Sequence, residues 1–141
     1  TAMFRDRGKR AARGFFAEGL WANRKDDFQH ARDTDELIDY LGMIYLGHEV
    51  YAVMNQDPDK GVSRLYVTRD NQPVPPGRRG KDVLEDLYGD TYVLLREPRL
   101  YYLLAGEDQK PHEIRLWVQK KGTAINSFSF SNRCLASFEH L

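Results

Sequence analysis

The chain carries a single cysteine, Cys134, so no intrachain disulfide can form. That excludes the stapled scaffolds of small secreted domains and favours a cytoplasmic working place, in the cell that makes the chain or in one into which it is delivered. Long hydrophobic runs are missing as well. None approaches the ~20 apolar residues of a membrane-spanning helix, and the opening stretch from Thr1 to Arg5 has no apolar signal core; no membrane partner is expected. Nor is there an excess of charge. Lys and Arg number 21 and Asp and Glu 21, a balance that argues against a dedicated non-specific binder of duplex DNA.

Compact chemical motifs are absent too. There is no Gly-x-Gly-x-x-Gly, no Walker loop and no Gly-x-Ser-x-Gly elbow, so nucleotide binding or serine hydrolysis by those devices is not expected. The four histidines, His30, His48, His112 and His140, show no pair at ligand spacing, so no metal and no cofactor are expected. A lone cysteine near an apolar segment reads as a small packing residue rather than a nucleophile.

What is present is an ordinary globular composition. With 141 residues the length suggests one domain, 1–141, and hydrophobic residues at 41% suffice for a core. Residues 1–6 read as lying outside the ordered fold, and 70–80, with three prolines and two glycines, as an exposed irregular loop.

Apolar residues near helical spacing (Ala11, Ala12, Phe15, Phe16, Leu20, Trp21) predict a helix over 7–24. A second is predicted over 35–46, capped by Asp33 or Thr34, with Leu37, Ile38, Leu41, Ile44 and Tyr45 inward and Gly47 ending it. Strands follow at 48–54 and 62–68, joined as a hairpin by the turn formers of 55–61. A short helix is predicted over 81–88, with Val83, Leu84 and Leu87 inward. Four strands close the chain at 91–95, 100–104, 113–119 and 123–130. Short joints between them predict an antiparallel meander. The expected fold class is therefore α+β: two N-terminal helices on a mainly antiparallel sheet of about six strands, with one short helix before the last four.

Polar residues cluster around that closing sheet. Metal-free RNA cleavage needs a base, an acid and cations on the phosphate, and Arg99, His112, Ser127 and Ser129 are the candidate catalytic residues. Arg78, Arg79, Tyr101, Arg115, Lys120 and Arg133 are the candidate substrate-binding residues. Tyr101, Tyr102, Trp117 and Phe128 interleave with them as single-stranded RNA recognition by stacking requires. Each also has a plainer reading. Arg99, Arg78 and Arg79 would serve as turn and loop charges, His112 as an exposed turn residue, His48 as a cap, and the serines and tyrosines as ordinary strand residues.

The run Arg99-Leu-Tyr-Tyr102, then Ile114-Arg-Leu-Trp-Val118, then Gly122-Thr-Ala-Ile-Asn-Ser-Phe128, behind a helical front, resembles the Barnase–EndoU–Colicin–RelE group of small RNases over about residues 81–133. The paired upstream histidines of the EndoU branch have no counterpart here. The resemblance implies RNA as substrate, no metal, and a toxin or phage setting with a cognate inhibitor as partner. Two other functions compete with a metal-independent nuclease. One is a non-catalytic protein-interaction module of phage, immunity or regulatory type, which would expose an apolar patch without convergent ionisable groups. The other is a small-molecule transferase, which would have a deep apolar pocket.

Overall fold

The structure, a computed structural model, describes residues 1–10, 14–46, 49–106 and 110–131. It is built of strands: β1 (Ala2–Phe4), β2 (Phe15–Asn23), β3 (Phe28–His30), β4 (Tyr40–Leu46), β5 (Glu49–Asn55), β6 (Ser63–Arg69), β7 (Gln72–Pro73), β8 (Leu84–Glu85), β9 (Thr91–Leu95), β10 (Arg99–Leu104), β11 (Pro111–Trp117) and β12 (Ala124–Ser131). Two 3-10 turns, Pro58–Lys60 and Pro76–Arg78, are the other elements. Among the described residues no helix reaches seven residues, and none is long and apolar enough to cross a membrane. The expected α+β class is thereby overturned.

The predicted helices fail for a physical reason. In β2 the buried residues are Ala17, Gly19 and Trp21, while Phe16, Glu18 and Leu20 are half-buried. That is period two, and aromatic residues suit a pleated surface better than a helix. Spacings of three and four between Phe16, Leu20 and Trp21 mimicked a helical stripe only because both faces of the strand are apolar. In the second predicted helix, residues 35–38 are an exposed segment and only 40–46 form β4. Leu41 and Tyr45 are buried as expected, but Leu37 and Ile38 are exposed. The third gives way to β8 and a turn, with Val83 buried and Leu84 and Leu87 exposed. Residues 2–4, expected outside the fold, pair with β2.

The strand order is β10-β5-β12-β3-β2-β4-β11-β6-β9-β8, with β1 beside β2 and β7 beside β6, and every pairing is antiparallel. The closing strands stand where the alternation placed them, yet they make no meander. β9 pairs with β6 and β8, β10 with β5, β11 with β4 and β6, and β12 with β3 and β5. From β9 to β12, consecutive strands alternate between the two halves of the sheet, so each short joint crosses from one half to the other instead of turning a hairpin. β5 and β6 are separated in the same way, which overturns the hairpin expected at 55–61.

Strand β2 belongs to both halves. Phe15–Glu18 pair with β4, whereas Trp21–Asn23 pair with β3. Gly19 lies at the changeover with φ +110°, a conformation open to glycine and strained for other residues. Asp39 packs against its Cα where a side chain would stand. The segment after β7 closes the arrangement: Arg79 bridges Leu104, Gly80 N–H donates to Leu103 O at 3.0 Å and Ala105 N–H to Arg78 O at 2.8 Å. One core fills the interior, with Trp21, Val50, Met54 and Leu103 from one half and Leu65, Val67, Ile114 and Leu116 from the other, all fully buried.

The prolines of 70–80 lie in a tethered connection. Asp70 and Asn71, at φ 53° and 63°, turn β6 into β7 by the positive-φ pair that two-residue hairpins favour. Val74 is fully buried, and its N–H donates to the Thr91 hydroxyl at 2.9 Å.

Candidate functional site

A groove of about 630 Å³ opens between residues 35–37, β6, β8, the turn 86–90, β9 and Gln119. Its floor follows from strand alternation. Leu65, Val67, Val93 and Leu95 point into the core, which turns Arg64, Tyr66 and Tyr92 to the other face. The Arg64 guanidinium lies 4.2 Å above the Tyr92 ring and donates to the Tyr66 hydroxyl at 3.2 Å. That hydroxyl donates to Asp86 Oδ2 at 3.2 Å, and the two tyrosine rings are 5.6 Å apart.

Both rims are fixed. On one side the Thr34 N–H donates to Gln119 O at 2.8 Å, Gln119 Nε2 to Asp35 O at 3.0 Å, and the Thr34 hydroxyl to Glu36 O at 2.9 Å. On the other side Asp86 organises a turn. Its Oδ1 accepts the N–H groups of Tyr88 and Asp90, both at 2.9 Å, and its backbone exchanges bonds with Gly89 and Asp90. Burial pushes the Asp86 carboxyl up, but these N–H donors and Tyr66 hold it below the usual carboxylate value. Gly89 takes φ +85° at the turn's end. The turn so built displays Leu87 at 100% and Tyr88 at 90% exposure. Leu37, which lines the same groove, is exposed, as are its neighbour Ile38 and Leu84 of β8. The lining carboxylates are Asp35, Glu36, Glu85, Asp86 and Asp90. Among the described residues Asp35, Glu36 and Asp90 have no side-chain partner, whereas Glu85 takes Arg79 at 2.7 Å.

The residues singled out from the sequence lie elsewhere and are dispersed. Arg99 opens β10 and pairs with Asp82, at 3.0 and 3.3 Å, while its guanidinium stacks 3.9 Å from the Tyr101 ring. Asp82 also accepts the Tyr102 N–H at 2.7 Å. Burial raises this carboxyl, but Arg99 and the Tyr102 N–H bring it below its usual value. The pair ties the crossing segment 78–82 to β10. Tyr101 is fully buried, and its hydroxyl donates to Glu97 O at 2.7 Å across the preceding turn. Arg79 donates through Nε to Val74 O at 2.9 Å, and Arg78 lies in the adjoining 3-10 turn. Arg78, Arg79, Arg99 and Tyr101 therefore do share the neighbourhood of β10.

His112 does not join them. It is buried on the inner side of β11, with Nδ1 2.6 Å from Asp70 Oδ2 and its ring 5.8 Å from Tyr45. Asp70 accepts the Glu113 N–H through its other oxygen at 2.8 Å, so the pair anchors the β6–β7 turn. The exposed-turn reading of His112 is corrected accordingly. Arg115, on the opposite side of β11, bonds Glu113 at 2.6 Å and covers the Tyr40 ring at 4.3 Å. Ser127 and Ser129 stand opposite Val53 and Tyr51 of β5, and the buried Ser129 hydroxyl has no partner among the described residues. Lys120 is exposed. Arg133, like Arg13, His48, Cys134 and His140, lies outside the described residues.

A buried charged cluster escaped sequence reading. His30, fully buried, sets Nε2 2.7 Å from Asp39 Oδ2 and Nδ1 3.1 Å from Lys120 O. Arg32 adds a fork to Asp39, at 2.8 and 2.6 Å. Burial pushes the Asp39 carboxyl up, but Arg32 and His30 outweigh it and leave it below its usual value. Trp21 covers the imidazole with ring centres 4.9 Å apart. Both ring nitrogens are engaged and solvent does not reach them. The cluster is a clamp between β3, the segment before β4 and the turn before β12.

The groove was also missed, although the sequence held a signal. In Asp86-Leu-Tyr-Gly-Asp90 two large apolar residues stand among turn formers, where small polar ones are usual. Among the described residues no cluster of three or more His, Cys, Asp or Glu could hold a metal. No family model matches the chain, and no curated protein matches its sequence.

Proposed function

We propose that the chain is a non-catalytic protein-interaction module that binds through the face formed by residues 35–38 and 84–90. The observation that carries this reading is the fixed presentation of Leu87 and Tyr88. A loop that merely connected two strands would gain nothing from two large apolar side chains in water, and each forfeits about 1.5–3 kcal/mol of burial there. Asp86 and Gly89 nevertheless hold them outward, in the groove that Leu37 also lines. Rigid display of apolar anchors lowers the ordering cost of association, and contiguous exposed apolar side chains rimmed by polar groups mark interaction surfaces.

The test is site-specific photocrosslinking in cells that make the protein, with a photoreactive residue at position 87 and a control at Lys25. A discrete adduct at 87, absent at 25 and lost with Tyr88→Ser, is expected. Adducts of equal yield at both positions would remove the reading. So would discrete cleavage of cellular RNA in excess EDTA that an Arg99→Ala/His112→Ala variant abolishes while folding normally.

A further inference from the structure

The interaction face has a chemical preference. Five carboxylates and one guanidinium line the groove, and the guanidinium is already engaged by the Tyr92 face and the Tyr66 hydroxyl. Glu85 is matched by Arg79, and Asp86 is consumed by its turn. Three carboxylates are left without a partner: Asp35 and Glu36 on one rim, and Asp90 on the other. They stand close to the apolar anchors in sequence, with Glu36 next to Leu37 and Asp90 two residues beyond Tyr88. The exposed Tyr88 ring adds a π-face that attracts a cation.

We infer that the groove receives a lysine- or arginine-bearing segment of another protein whose aliphatic side chains pack on Leu37, Leu87 and Tyr88. The inference rests on the interaction-module reading and names its partner by charge. Apolar contact supplies affinity. The unmatched carboxylates supply orientation and speed of encounter, and they reject acidic segments and nucleic acid by like-charge repulsion.

The experiment uses the full chain, isotopically labelled, and three synthetic peptides of equal length: alternating lysine and leucine, alternating glutamate and leucine, and alternating lysine and serine. Amide chemical shifts report where each binds. The lysine–leucine peptide is expected to move the signals of residues 35–38 and 84–90. Its affinity should fall about tenfold from low to high salt, as screening removes steering between exposed charges. An Asp35→Asn/Glu36→Gln/Asp90→Asn variant should weaken it about tenfold, equivalent to about 1.4 kcal/mol, with an unchanged thermal midpoint certifying the fold. The glutamate–leucine peptide should not bind, and the lysine–serine peptide should bind more weakly.

Equal binding of the two leucine peptides in the groove, or no effect of the triple neutralisation, would overturn the basic-partner inference and leave the interaction face standing. Absence of groove binding by all three peptides would overturn the inference too. Failure of Leu87→Ser and Tyr88→Ser to alter any contact at this face would instead sink the interaction-module reading beneath it. Self-association that Leu87→Ser abolishes would assign the face to a second copy and overturn the inference by that route.

Discussion

Asp39 and its near neighbours Asp35 and Glu36 belong to one short segment, yet they are treated in opposite ways. Asp39 is fully buried and receives two bonds from Arg32 and one from His30. Asp35 and Glu36 are exposed and receive none among the described residues. A buried carboxylate is tolerated only when its oxygens are satisfied and its charge is matched. An exposed one needs nothing from the protein, since water solvates it. The contrast separates acids that hold the fold from acids left open to an outside partner. The same division runs through the aromatics. Tyr101 is buried with its hydroxyl bonded, whereas Tyr88 is almost wholly in water.

The widest gap should appear in stability. Asp39→Ala leaves the His30 and Arg32 donors uncompensated, and breaking a buried pair costs about 3–5 kcal/mol. Denaturant unfolding should register that loss, while Asp35→Ala stays within about 0.5 kcal/mol of the parent. Similar losses at the two positions would end the distinction.

Acid sharpens it further. Asp6 is held well below the usual carboxylate value, chiefly by the Arg10 fork at 2.7 and 2.9 Å. Asp39 and Asp82 are also held low, because their donors outweigh burial. A carboxyl depressed in the folded state contributes stability that is fully present above its unfolded value, about 4, and is lost as pH falls through the folded value. The carboxyl contribution to unfolding free energy should therefore decline below about pH 4. Asp39→Ala, although less stable throughout, should show a shallower decline. A profile that rises into acid would contradict the assignment.

Arg99→Ala should cost less, about 1 kcal/mol, because Arg99 is itself 38% exposed and solvent weakens its pair with Asp82. Tyr102 N–H would still satisfy one carboxylate oxygen. Protection of the Tyr102 amide from hydrogen exchange should drop in that variant, and a loss above about 3 kcal/mol would mean that the pair does more than tie the crossing segment to β10. Gly89→Ala meets no steric obstruction but forces a Cβ onto φ +85°, at about 1 kcal/mol. Smallest of all is the stability effect of Leu87→Ser, expected within about 0.5 kcal/mol. A large stability loss there would show that Leu87 is packed after all.

The positions of β5, β6 and β9 to β12 were legible, because Val, Ile, Tyr and Phe alternate there between turn formers, whereas β7 and β8 fell in stretches that read as a loop and a helix. Helix and strand could not be separated in front of them. With both faces of β2 apolar, its period-two pattern also satisfied a helical one. Pairing was illegible throughout. Whether β10 turns back on β9 or crosses to β5 depends on which layer has an edge to fill, and no residue of 96–98 encodes that choice. The scattered site at Arg99, His112, Ser127 and Ser129 followed from the same error, since it assumed that neighbours in sequence were neighbours in the sheet.

The sequence by itself determined the absence of an intrachain disulfide, the balanced charge, and the alternation that makes strands. These depend on composition and on the fixed period of the extended chain. Only the tertiary structure decided that Asp39 is inside and Glu36 outside, that His30 serves a clamp, and that Leu87 and Tyr88 face water. Burial is a property of what packs against a residue, and for this chain those contacts come from distant segments joined by long-range strand pairing.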